Sequence, residues 1–443
     1  MVVLLVAKLV IARDYDPNLY AETKMSLVLK KSRKRKVYRT NIVIRGFFYV
    51  FLYVFAWKHN IKRRIPKEIK DLKPPYLVLG NHVGFWDPFV AGNFLPHYVH
   101  FVSSDVAFHN PIFSFFLTRL GTIPKKKNVR DSKVIRDIAA VIGQGENIGI
   151  YPEAVRNWAG TSFPIDPSIA KLIKMLKVPV VVPKIRGMNL FNPRWSTELR
   201  KTRVYIDYSI ALSKDDVQML SLDDIYEKLC NAIQHDEVDY QREAMIPVKS
   251  KKLAEHISYA IYVCPECHEI DTFLCRGNHF HCEACSYDIE IDSYVFFKRP
   301  KGGKLYFDNI RDWYYWEEKF LNDLVIQKLR KESSDPILVD KNSKVFHRAD
   351  GVKMEEIGTA DVSLFTDRIE IAYHEREKFN MNFDDLQTIN PQVKENIEII
   401  YNGEAYRIVG YREGISALKW EVAVNAIWRE AGQKSKLSPY IKP

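Results

Sequence analysis

The chain has 443 residues, enough for about three domains. Hydrophobic residues make up 47% of it, which excludes a mainly disordered protein. Its 66 Lys and Arg against 55 Asp and Glu leave a net charge of +11, an excess that suits a nucleic acid, an anionic membrane or simply a solvated tail.

At the start, Met1–Ala12 is apolar apart from Lys8, lacks a basic leading region and shows no small-residue cleavage site before Arg13. It reads poorly as a signal peptide. Met25 directly precedes a basic run and is a candidate start of translation, which would make residues 1–24 extraneous.

Between Lys24 and Arg45 there are nine Lys or Arg and no acid, including Lys30-Lys31-Ser32-Arg33-Lys34-Arg35-Lys36. Ile42–Trp57 follows, rich in Phe and Tyr with Arg45 as its one charge, and then Lys58, Lys62, Arg63 and Arg64. As a helix this segment is about 24 Å long at about 1.5 Å per residue, short of a hydrocarbon core about 30 Å thick. Embedding in one leaflet is expected rather than spanning, with basic flanks on anionic lipid at the cytoplasmic face; a buried core helix is the alternative. A nucleic-acid partner is not expected, because the basic run abuts this aromatic segment and no readable recognition helix.

Tyr76–Leu79 reads as a buried strand, Gly80 as a sharp turn, and Asp87-Pro88 as a helix start with Asp87 at the cap. Between them, Asn81-His82-Val83-Gly84-Phe85-Trp86-Asp87 sets a histidine and a carboxylate five residues apart on a loop above a sheet. An imidazole so placed can take a hydroxyl proton on one nitrogen while the carboxylate holds the other N–H. The bland alternative is a loop histidine beside a capping aspartate.

Three further segments follow: Gly121-Thr122-Ile123-Pro124-Lys125-Lys126-Lys127, Tyr151-Pro152-Glu153-Ala154-Val155-Arg156-Asn157, and Val178-Pro179-Val180-Val181-Val182-Pro183. With the His82 segment they resemble the four blocks of the glycerolipid acyltransferases typified by 1-acylglycerol-3-phosphate acyltransferase, over roughly Leu72 to Asp207. The resemblance implies an α/β domain that moves a fatty acyl group from acyl-CoA or acyl-carrier protein to a glycerol hydroxyl. It implies that His82 is the catalytic base, that Asp87 orients it, and that Lys127, Glu153 and Arg156 bind the acceptor. Lys127 falls where the second block has arginine, and Arg156 matches the arginine of a Phe-Pro-Glu-Gly-Thr-Arg block. Ala154 and Val155 replace its Gly-Thr, so a close backbone approach and a hydroxyl donor are missing there. Arginine's permanently charged fork independently suits a phosphomonoester, which lysine meets only as a point charge. Glu153 also reads as a structural carboxylate pairing Arg156, and Lys125–Lys127 as a solvated turn.

From about Ile61 to Val248, apolar runs alternate with helical patterns, predicting a mostly parallel sheet flanked by helices. Strands are expected at Tyr76–Leu79, Ile148–Tyr151, Val178–Val182 and Val204–Tyr208, and helices at Asp131–Ile142 and Ile169–Leu176. His82 and Glu153 then fall at the C-terminal ends of strands, where open α/β sheets place ligands.

Cys264-Pro265-Glu266-Cys267 and Cys282-Glu283-Ala284-Cys285 are separated by fourteen residues, close to zinc-ribbon spacing. Four thiolates around a structural Zn²⁺ are expected, with disulfides or unliganded thiols as alternatives and Cys275, His268, His279 and His281 as possible substitutes. The intervening hairpin carries Phe273 and Phe280 but too little core to fold unaided. Reduced cysteines suit a cytosolic face.

Phe307–Arg330 reads as an aromatic, charged helix joining modules. Beyond Ile337, short strands (Val362–Phe365, Arg368–Ala372, Ile397–Tyr401, Ala405–Val409) precede a final helix at Ala417–Ala431, with Asn402-Gly403 as a hairpin turn. That order resembles bacterial pleckstrin-homology-like domains, which implies an interaction or scaffold role with an unknown protein partner. The expected organisation is thus a basic, aromatic membrane segment (1–60), an acyltransferase domain (61–248), a zinc ribbon (258–295), a helical linker (296–335) and a β-rich pleckstrin-homology-like domain ending in a helix (336–443). The leading function is acyl transfer at a phospholipid surface to a phosphate-bearing lysolipid, with 1-acylglycerol-3-phosphate foremost. A catalytically inactive membrane-associated adaptor, recruiting a partner through the ribbon and the C-terminal domain, is the second.

Overall fold

The computed structural model describes residues 38–108, 110–125, 132–153, 155–348, 354–392 and 395–438. The basic run, Met25, Lys127 and Ala154 lie outside the described residues. The chain forms two compact units, one built from residues up to Arg194 with Arg200–Ile246, the other from Trp195–Leu199 and the chain from Pro247 on.

The first unit is built on seven strands: β1 (Ile61–Arg64), β2 (Leu77–Leu79), β3 (Val99–Ser104), β4 (Ile123–Lys125), β5 (Asn147–Ile150), β6 (Val180–Arg186) and β7 (Val204–Leu212). They lie in the order β1-β7-β6-β2-β5-β3-β4, all neighbours parallel except β6 and β7. Leu77, Leu79, Ile148, Val180 and Val182 enter one core with Val134, Ile138 and Val141 of helix Ser132–Gly143, Ile169 and Ile173 of Ser168–Leu176, and Ile225 and Leu229 of Leu222–Ile233. Val78 and Val181, equally buried, fall on the opposite face by strand alternation. Burial on both faces is why these strands read as unbroken apolar runs.

Helix Ile42–Lys58 starts where the Asn41 side chain accepts from the amides of Val43 and Ile44. It buries one stripe, Phe51, Leu52, Phe55 and Ala56, with Phe55 stacked on Trp86 at 4.1 Å between ring centroids. Its other side is apolar yet exposed: Ile42 is 80% and Trp57 84% accessible, with Val43, Val50 and Val54 also exposed. Phe48 meets Phe116 of helix Pro111–Arg119, which exposes Ile112 and Phe115. Neither a core helix nor a surface helix with a polar outer face looks like this. Among the described residues no helix is long and apolar enough to cross a membrane.

In the second unit, β8 (Phe273–Arg276), β9 (His279–Cys282), β10 (Asp288–Ile291) and β11 (Phe297–Lys298) form an antiparallel sheet. The helix Ile310–Arg330 supplies the core this small sheet lacks: its buried Trp313 packs against Phe273, Phe280 and Phe297 and donates to the Val263 carbonyl. Seven more strands follow: β12 (Leu338–Arg348), β13 (Glu355–Leu364), β14 (Arg368–Tyr373), β15 (Phe379–Asn382), β16 (Leu386–Pro391), β17 (Asn396–Tyr401) and β18 (Glu404–Val409). They make an antiparallel sheet in the order β15-β14-β13-β12-β18-β17-β16. Asn402 and Gly403 both adopt positive φ, 49° and 83°, as the two-residue turn between β17 and β18 requires.

The terminal helix, Leu418–Glu430, is buried over most of its length. Its Lys419 donates to Asp271, which lies between the two cysteine pairs, and to Asp340 Oδ1 of β12 at 2.5 Å. Trp420 Nε1 donates to the other oxygen of Asp340 at 2.7 Å. A buried ammonium is tolerable here because two carboxylates compensate it.

Candidate active site

The loop after β2 is pinned before it reaches His82. Gly80 does not take a positive φ, so the turn expected of it is not why glycine stands there. A Cβ at that position would lie 3.2 Å from the Pro183 ring and carbonyl and from the Tyr151 ring, so close packing against β6 and the end of β5 leaves little room for a side chain. Buried Asn81 then ties the loop to β6, donating to the Ile185 carbonyl and accepting from the Ile185 amide, each at 2.8 Å.

His82 follows with 21% of its side chain exposed, its Nδ1 3.0 Å from Asp87 Oδ2. That same oxygen accepts from the amides of Val83 at 2.6 Å and Gly84 at 2.8 Å. Asp87 is therefore not the cap expected from Asp-Pro: Trp86 holds the cap position of helix Asp87–Asn93 without a side-chain bond, and Asp87 is already in the first turn. Its carboxylate turns back to close the His82 loop, which offers it two amides and a ring N–H. A carboxylate facing Nδ1 keeps the ring proton there and leaves Nε2 to accept.

The loop after β5 grips His82 from the other side. Glu153 Oε1 accepts from the His82 amide at 3.0 Å and Oε2 from the Phe163 amide at 3.0 Å. The His82 carbonyl accepts from the backbone amide of Asn157 at 3.2 Å. Glu153 is fully buried, and burial pushes its carboxyl up to about 8, against the opposing pull of the two backbone donors. Arg156, next to Asn157, is half-buried; its carbonyl accepts from Arg194 Nη1 at 2.8 Å, and the Arg194 guanidinium sits 3.8 Å from the Trp158 ring centroid.

Of the residues expected at the acyl-transfer site, His82, Asp87 and Glu153 are therefore brought into one hydrogen-bonded constellation, with Arg156 on the same loop as Glu153. Asn81, Asn157 and Tyr151 were given no role from sequence. All three fall inside the quoted segments, but the Asn157 contact is made by its backbone amide, which no residue type signals.

In the second unit, Cys264, Cys267, Cys282 and Cys285 place their sulfurs within 4.8 Å of one another. Cys264 and Cys285, and Cys267 and Cys282, are each 3.6 Å apart. Four sulfurs about 2.3 Å from a tetrahedral Zn²⁺ stand about 3.8 Å from one another, so the set fits that ion with little adjustment. His268 instead packs on Trp316 and Phe320, and His279 faces Glu290.

Residues 57–184 match the family model described as Acyltransferase. The matched stretch runs through β1 to most of β6 and includes both loops that meet at His82. Among solved structures, the chain is similar to the 1-acyl-sn-glycerophosphate (LPA) acyltransferase PlsC from Thermotoga maritima, at 14% identity and a TM-score of 0.37 over 43% of this chain and 75% of that one. No curated protein matches the chain.

Proposed function

We propose that the protein is a membrane-associated O-acyltransferase in which His82 is the general base. The observation that carries this is the His82 Nδ1 to Asp87 Oδ2 contact of 3.0 Å, on a loop held at both its amide and its carbonyl. Nε2 takes the proton of the acceptor hydroxyl as its oxygen attacks the thioester carbonyl. The carbon–sulfur bond then breaks, and the departing thiolate receives that proton. Asp87 stabilises the imidazolium between the two steps. Donors are acyl-CoA or acyl-carrier protein, and the acceptor is a phosphate-bearing lysolipid, with 1-acylglycerol-3-phosphate foremost. Arg156 and Lys127 hold the phosphate, while Glu153, enclosed by backbone donors, serves the site by fixing the His82 loop.

The exposed apolar side of Ile42–Lys58, continued by Ile112 and Phe115, supports insertion into the lipid surface without crossing it. Arg45 over Tyr98, Arg63 over Tyr53 and Arg119 over Phe115 supply cations at its margin, which suits an anionic, cytoplasm-facing leaflet. Cys264, Cys267, Cys282 and Cys285 would hold a Zn²⁺ whose four positions are all protein, a structural rather than catalytic arrangement. The C-terminal sheet and helix serve as a pleckstrin-homology-like scaffold for a protein partner.

The test is transfer of radiolabelled acyl groups from both donors to a panel of lysolipids by the full-length protein and by His82→Ala. Product from the wild type alone supports the reading and names the acceptor. Equal product from both, or none from either, overturns it.

A further inference from the structure

Two polar atoms beside His82 are buried and without a partner among the described residues: the Tyr151 hydroxyl and Asp87 Oδ1. They belong to two side chains that touch the histidine ring. Tyr151 stacks on it with centroids 4.6 Å apart and planes inclined by 30°, and Asp87 holds its Nδ1. Phe101 stacks on Tyr151 in turn, and the Tyr151 ring lies against Gly80, so ring position is fixed from several sides. Burial first, then the nearby charge of Asp87, pushes the Tyr151 phenol well above its ordinary range. The hydroxyl therefore stays a neutral donor in the field of that carboxylate.

Asp87 divides its work unevenly. Oδ2 meets three nitrogens, the amides of Val83 and Gly84 and Nδ1 of His82, while Oδ1 meets none. A buried carboxylate oxygen and a buried hydroxyl, both unpaired, on side chains that flank one imidazole are a mismatch that one enclosed water with partners on both sides resolves.

We propose that Tyr151 is a positioning residue of the His82–Asp87 pair, its hydroxyl donating to Asp87 Oδ1 through one enclosed water. The bond fixes the plane of the carboxylate, and with it the direction along which Oδ2 meets Nδ1. It also draws charge from the carboxylate, which keeps the shared proton on Nδ1 and Nε2 open to the acceptor hydroxyl. This rests on the general-base reading above.

The experiment compares Tyr151→Phe with the wild type in the full-length protein, with a thermal melt to establish that both fold. Loss of one hydrogen bond to a charged group should lower kcat about tenfold, with KM for donor and acceptor unchanged. The His82 Nδ1–H resonance in histidine-labelled protein should move as well, a readout independent of turnover. Unchanged kcat with an unmoved resonance overturns the inference, and so does a rise in KM alone, which would mark Tyr151 as part of the substrate pocket. If His82→Ala retains transfer while Tyr151→Phe still moves the resonance, the general-base reading falls and the hydrogen bond stands.

Discussion

The backbone amide of His82 donates to Glu153 Oε1 at 3.0 Å, so the loops that follow β2 and β5 are joined at the histidine itself. Histidine placement thereby depends on a carboxyl group that stands three strands later in the sequence and has no exposure of its own.

Burial of that carboxyl gives a pH-dependent stability, which the bond from His82 moderates. Burial raises Glu153 from an ordinary 4.5 to about 8 in the fold. Between these values the folded protein keeps a proton that the unfolded chain has released, so stability falls as pH rises through the window, by up to about 1.4 kcal/mol per pH unit, and levels off above it. Glu153→Gln removes this dependence and leaves one of the two amides facing an NH₂ group, at a cost of about 1 to 3 kcal/mol. Urea titrations of both proteins from pH 5 to 9 check this; curves that stay parallel would rule it out.

Asp87→Asn keeps an oxygen for the amides of Val83 and Gly84 but loses the charge that faces His82. Transfer should drop by about 10² to 10⁴ while the melting temperature changes little. A variant that stays active, or one that is inactive only because it unfolds, would count against an orienting role.

Metal removal should be felt far along the chain within the second unit. Asp271, between the cysteine pairs, holds Lys419 and the Ser416 amide at the start of the terminal helix. Chelation should therefore speed hydrogen exchange in Leu418–Glu430 as well as in the ribbon, with one zinc per chain measured beforehand. Exchange confined to the ribbon would show that the two parts are held independently.

Val50→Glu combined with Val54→Glu places two charges on the exposed side of Ile42–Lys58 and leaves Phe51, Leu52 and Phe55 buried. Co-sedimentation with vesicles containing anionic lipid should fall at least tenfold at unchanged folding, given roughly 2.5 to 3.5 kcal/mol for a charge held in hydrocarbon. Undiminished binding would move the membrane contact elsewhere.

Much of the first unit was legible because parallel strands buried on both faces leave continuous apolar runs. β2, β5, β6 and β7 and the helices Ser132–Gly143 and Ser168–Leu176 all fall within a few residues of their expected positions. β1 was not legible: Ile61-Lys62-Arg63-Arg64 shows one buried position and three exposed ones, and only pairing with β7 makes it a strand. In the second unit, β12, β15 and β16 were missed, since β12 is interrupted by register shifts and β15 has only four residues. Helix Ile310–Arg330 reads from sequence only as a joint between modules, because nothing in its own pattern says that Trp313 completes the core of the β8–β11 sheet. At the candidate site, His82 and Asp87 were visible from spacing, but the grip of Glu153 and Asn157 joins residues more than seventy positions apart and is a matter of geometry alone.

The pairing of β1 with β7 also sets an order of events during synthesis. Val204, the partner of Ile61, leaves the ribosome about 140 residues later; at roughly 5 to 20 residues per second, that is a delay of roughly 7 to 30 s. Throughout it, Ile42–Lys58 has emerged while the sheet cannot close, so the helix is made well before the domain it belongs to is complete. Its aromatic partners Trp86, Phe94 and Phe116 follow within about 60 residues, whereas the strand that pairs β1 follows only after about 140.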